Sequence, residues 1–166
     1  MSTNLEFVLK HSYKEDMILY IKSHPEEFEN LIKLALSNNS TYAWRASWLL
    51  WSCIDENDLR VQPYIDEIIN TIETKKEGHQ RELLILLNKM KLSENQMGIL
   101  FEICVNLYTN THKKPSTRLT SLKLMVKISH FFPELQNEIK FFSDLQFTNT
   151  LSTASKKSVL KTISNI

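Results

Sequence analysis

Five histidines, two cysteines and a recurring row of basic residues are the side chains here best suited to do chemistry. The histidines (His11, His24, His79, His112 and His130) are scattered, and no His-x3-His, Cys-x2-Cys or His-Glu-x2-His spacing occurs. A zinc site needs such spacing, because neighbouring ligands must converge on one ion. Cys53 and Cys104 have no histidine partner in sequence, and no Gly-x-Ser-x-Gly elbow presents a nucleophilic serine. With only two glycines, Gly78 and Gly98, the chain cannot build a glycine-rich phosphate loop. The sequence therefore predicts a protein that is not an enzyme and uses no metal or cofactor.

What does recur is a cation. Arg45, Arg81 and Arg118 stand 36 and 37 residues apart, and Lys157 follows after a further 39. Each opens an apolar run: Trp44-Arg45-Ala46-Ser47-Trp48-Leu49-Leu50, Gln80-Arg81-Glu82-Leu83-Leu84-Ile85-Leu86, and Thr117-Arg118-Leu119-Thr120-Ser121-Leu122-Lys123-Leu124. A planar guanidinium stays charged and holds two acceptors, so a repeated arginine suits a clamp on the adjacent segment. Asp55, Glu56 and Asp58 are plausible partners for Arg81, and a ligand-binding row is the alternative reading. Trp44, Trp48 and Trp51 fall at i, i+4 and i+7, on one helical stripe. That stripe reads either as packing between helices or as an anchor for a partner, with Trp51 expected to be the exposed one.

The net charge of +1 conceals an asymmetry. Residues 1–83 hold nine Lys/Arg against fourteen Asp/Glu, and residues 84–166 hold eleven against five. Lys123 and Lys127 lie one turn apart, and Lys156, Lys157 and Lys161 could form a second row. Either an acidic protein segment or nucleic acid would suit such a surface, as would plain solvation. No run approaches the roughly 18 apolar residues of a membrane span, and the start lacks the pattern of a secretory signal. Two thiols inside apolar helices suit reduced cysteines in the cytoplasm, with a disulfide the less favoured alternative.

A period near 37 residues requires helices that stack, because one helix pair cannot bury its apolar face alone. Caps place them. Ser12-x-x-Glu15 predicts a leading helix over 12–22. Pro25 opens the next, which ends at Asn38-Asn39, and Ser40 or Thr41 caps the Arg45 helix. Pro63, Pro115 and Pro133 start others, Gly78 precedes the Arg81 helix, and Ser93 and Ser152 cap two more. Gly98, inside a helix, marks an expected close helix–helix approach. About nine helices result, a leading one and pairs over about 25–57, 58–91, 92–131 and 132–166, in a single domain over 1–166.

The arginine-bearing helices resemble the second helices of HEAT-like repeats, Asn39–Leu50 most closely. The chain over 12–166 also resembles a group of short HEAT-like proteins common in Bacteroidetes. Some of these carry the label adenylosuccinate lyase, but the Gly-Ser-Ser-x-Met-Pro-x-Lys-x-Asn loop of that enzyme is absent. Trp51-x-x-x-Asp55 loosely resembles a pair in HEAT-like alkylpurine DNA glycosylases, although the acidic run Asp55-Glu56-Asn57-Asp58 would repel phosphates. The resemblance implies an all-α, right-handed α-α superhelix (a HEAT-like or ARM-like solenoid) acting as a cytoplasmic protein-interaction scaffold. Its expected partner is a protein or peptide, an acidic segment being one form of it. The alternative is nucleic-acid binding through the basic C-terminal half, and no membrane is involved. Trp51, Asn88, Lys123 and Lys127 are the candidate binding residues, while Leu49, Leu84, Leu86, Leu122 and Met125 form the buried flank. Arg45, Arg81, Arg118 and Lys157 are the structural repeat positions.

Overall fold

The computed structural model describes residues 4–38 and 41–166, and among these every regular element is helical. The all-α class is thus borne out. Contacts divide the chain into two compact units, Met1–Lys91 and Leu92–Ile166.

The first unit contains α1 (Asn4–His11), α2 (Lys14–Ser23), α3 (Phe28–Leu36), α4 (Ala43–Cys53), α5 (Ile65–Thr71) and α6 (Glu77–Asn88). Its centre is α4, which packs on α2, α3 and α6. The alternation of small and large residues along α4 makes this possible: Ala43, Ala46, Ser47, Leu49 and Leu50 are all buried, so helices approach it from several sides. The second unit contains α7 (Glu94–Thr109), α8 (Pro115–Ser129), α9 (Gln136–Phe141), α10 (Leu145–Thr148) and α11 (Thr153–Ile163). Here α8 is central, packed on α7, α9 and α11. The expected flank is buried: Leu49, Leu84, Leu86, Leu122 and Met125 are all shielded from solvent.

Several expectations need correction. The described residues hold eleven α-helices rather than nine. One unforeseen helix is α1, whose Leu5 and Leu9 are fully buried. The other is α10, a single turn between α9 and α11. The Ser12/Glu15 capping box does not form, because α2 starts one residue later, with Tyr13 as an N-cap lacking a side-chain bond. The N-cap of α4 is Tyr42, again without a side-chain bond, so Thr41 does not cap it; Asn39 and Ser40 lie outside the described residues. Gly78 falls within the first turn of α6 rather than ahead of it. Pro25, Pro63 and Pro133 sit in 3-10 turns that run into α3, α5 and α9, while Pro115 is the first residue of α8.

The serine caps hold. Ser93 accepts from the Gln96 amide, and the Gln96 side chain accepts from the Ser93 amide, a complete capping box. Ser152 likewise accepts from the Ser155 amide at the start of α11. Asn57 carries the one positive φ among described non-glycine residues, 56°, a conformation asparagine tolerates. It staples the link after α4 to the end of α6: its amide donates to Lys89 O at 2.8 Å and its side-chain oxygen accepts from the Lys91 amide at 3.2 Å. No described helix is long and apolar enough to cross a membrane.

Candidate functional site

The repeat arginines divide by environment. Arg118 is 1% exposed, the largest fully buried side chain among the described residues. Its Nε donates to Tyr108 O at 2.7 Å, one terminal nitrogen donates to Phe147 O, and the other reaches Thr150 Oγ1 at 3.3 Å. The guanidinium also lies 5.1 Å from the centre of the Tyr108 ring. It thereby ties α8 to the end of α7 and to the α10 region. Arg45 does a related job while half-buried, donating to Ser12 O at 2.8 Å in the link between α1 and α2. Lys157 is exposed on α11.

Arg81 departs from the expected pairing. Asp58 is bound instead by Arg60, at 2.6 Å, and Asp55 and Glu56 are exposed. Arg81 meets its own neighbour Glu82, whose buried carboxylate accepts from Arg81 at 2.6 Å and, on its other oxygen, from Trp51 Nε1 at 2.7 Å. A buried carboxylate requires donors, and this one has a charged donor and a neutral one. Sequence reasoning missed Glu82, since nothing local links it to Trp51.

That bond also revises the tryptophan stripe. Trp51 is half-buried and oriented by Glu82, and it meets Trp48 edge-on at 6.1 Å. Trp48 is half-buried too, with the Lys14 ammonium 5.0 Å above its ring. The exposed member is Trp44, at 50%. Asn88 is exposed on the last turn of α6, Lys123 is exposed on α8, and Lys127 is half-buried. Trp51 and Asn88 thus belong to the first unit, Lys123 and Lys127 to the second. Lys123 and Lys161, one from each of the two lysine rows, line one depression of the second unit, and Lys127, Lys156 and Lys157 do not.

Trp44 borders a pocket of about 480 Å³ in the first unit, where α3 ends and α6 begins. Its lining includes Thr41, Lys75, Lys76 and His79, and no carboxylate. The wall is built by capping. The last turn of α3 leaves carbonyls without intrahelical donors. Ala35 O receives Ser47 Oγ at 3.1 Å and His79 Nε2 at 2.6 Å, and Leu36 O receives the Lys75 ammonium. Lys75 also donates to Asn38 Oδ1 at 2.6 Å. All its acceptors are neutral. Burial pulls the Lys75 ammonium below the usual lysine value, offset in part by Glu67. Burial lowers His79 as well; the Ala35 carbonyl opposes this and the charge of Lys75 adds to it. Neither lysine of this pocket belongs to the repeat pattern or to a motif in the sequence.

Cys53 and Cys104 are both free thiols, so the disulfide alternative is set aside. Cys104 is fully buried and its thiol is pushed far above the usual range by desolvation. Burial raises Cys53 too, which leaves neither as an activated nucleophile. No group of three His, Cys, Asp or Glu side chains capable of holding a metal occurs among the described residues.

A family model described as HEAT repeat domain matches residues 1–166. No curated protein and no solved structure gives a match.

Proposed function

Starting from the fact that this chain belongs to the HEAT repeat domain family, we propose that it is a non-catalytic protein-interaction module whose Trp44 pocket seats an acidic partner segment. The observation that carries this reading is a half-exposed tryptophan on the rim of a pocket lined by two lysines and no carboxylate. An indole offers a large, stiff apolar surface at little entropic cost, and lysines beside it favour a carboxylate on the partner. Trp51 then serves as a support within the first unit, and Asn88 as an outlying polar contact. The cytoplasmic setting and the kinship with short Bacteroidetes HEAT-like proteins belong to the same proposal.

The test is fluorescence anisotropy with a labelled peptide of Glu and Leu and a Lys-for-Glu twin. We expect the acidic peptide to bind, and Trp44→Ala or Lys76→Glu to weaken it by roughly tenfold, the scale of losing a central anchor. Equal affinity for both variants and the parent chain refutes the assignment.

A second reading, nucleic-acid binding through Lys123, Lys127 and Lys161, draws support from the shared depression of Lys123 and Lys161. Few phosphates could be neutralised there, so such binding would be weak and strongly salt-dependent.

A further inference from the structure

Gly98 sits inside α7, where glycine is a poorer helix former than alanine. The expected reason for it, close approach of another helix of this chain, does not hold. A Cβ placed on Gly98 would meet nothing within 4 Å, and the residue is exposed. Internal packing therefore gives no reason for the missing side chain.

What Gly98 does border is a groove of about 380 Å³ within the second unit, between α7, the end of α8 and the turn at Pro133. Phe101, Ile128, Phe132 and Leu135 supply its apolar lining. Glu94 and Glu102, one turn to either side of Gly98 on the same stripe, and Glu134 supply its acidic one. All three carboxylates are exposed, and none forms an ion pair among the described residues. The second unit, residues 92–166, has nine Lys/Arg and only five Asp/Glu. Three of those five carboxylates thus gather around one apolar groove in an otherwise cationic unit.

An apolar floor alone would accept many occupants, but the charge selects among them. Phosphates and acidic peptides meet three like charges, whereas a cationic segment gains from each of them. An open glycine lets a backbone or a small side chain come close, as a helix laid along α7 would require. We propose that this groove docks a basic amphipathic helix of a partner protein, with apolar side chains on Phe101 and Phe132 and Lys or Arg beside Glu94, Glu102 and Glu134. This site is separate in composition and in charge preference from the Trp44 pocket and does not depend on it.

The test uses the full chain and a labelled synthetic helix of Leu and Lys, leucines at i, i+3, i+4 and i+7, with a Glu-for-Lys twin. We expect saturable binding of the cationic peptide and binding of the acidic twin weaker by about tenfold or more. Gly98→Leu fills the groove and should lower affinity by roughly tenfold, and Glu102→Lys should do the same through charge. Both positions are exposed, so melting curves should show folded variants, and Trp44→Ala should leave this peptide's affinity unchanged. Absence of binding, equal affinity in Gly98→Leu and Glu102→Lys, or equal binding of the acidic twin overturns the proposal. So does a parent dimer that Gly98→Leu dissociates, since the occupant would then be a second copy.

Discussion

Arg118 gives the strongest test of how a repeated arginine holds these helices together. Its charge is buried against Tyr108 O, Phe147 O and Thr150 Oγ1, with no carboxylate among those acceptors. Burial lowers its pKa from the usual arginine value, the direction expected for a desolvated cation with neutral partners. Arg118→Ala would remove donors from two carbonyls. Charged hydrogen bonds contribute about 1.5–3 kcal/mol each, and removing the buried cation recovers some desolvation, so the net loss should be about 3–5 kcal/mol. At about 2–4 °C per kcal/mol for a chain of this size, the melting temperature should fall by roughly 10 °C.

Arg45→Ala makes the internal comparison, because Arg45 is only half-buried and has one short bond, to Ser12 O at 2.8 Å. Its loss should be about 1 kcal/mol. Arg81→Ala should also stay near 1 kcal/mol, since its side chain is 40% exposed and solvent screens the contact with Glu82. Urea titrations followed by circular dichroism would rank the three. If Arg118→Ala is no worse than Arg45→Ala, the three-acceptor clamp contributes nothing beyond an ordinary surface contact and the reasoning fails. Arg118→Lys should recover only part of the loss, because one ammonium cannot span the same acceptors.

Gly98→Ala should raise stability by about 0.5–1 kcal/mol, since the helix gains propensity and the new methyl meets open space; a loss in urea midpoint would contradict the exposed placement. His79 has its folded pKa depressed below the ordinary 6.5, so its contribution is fully present above pH 6.5 and is lost as pH falls through the folded value. His79→Gln should therefore flatten the acid side of the stability profile below about pH 6.5, and an unchanged slope would assign the acid loss to other groups. Duplex DNA should bind weakly and release with added salt; nanomolar affinity near physiological salt would instead promote the lysine surface of the second unit.

Features governed by residues a few positions apart were legible in the sequence. The Ser93 and Ser152 caps and Pro115 each report on one helix turn, and α7, α11 and α8 start where the pattern put them, whereas the Ser12/Glu15 box fails because α2 starts one residue later. Elements without such a signal were missed. α1 has no cap motif within its described residues, and α10 is a single turn, too short to show a helical period.

Partner choice was legible only where one acceptor set dominated. Three basic positions on one period looked equivalent, yet Arg118 met carbonyls, Arg45 a link carbonyl and Arg81 the adjacent Glu82, because the period fixes direction and the neighbour supplies the acceptor. The tryptophans follow the same logic. A stripe at i, i+4 and i+7 says that three indoles share a face, but not how far along α4 that face is covered. Glu82 of α6 reaches the Trp51 end, Lys14 of α2 covers Trp48, and the first turn of α4 leaves Trp44 half-open. Gly98 extends the argument to what lies outside the chain. A glycine without an internal contact to excuse it, set in an acidic-rimmed groove, is a local rule broken with no internal gain, and such breaks are expected where a protein meets something else.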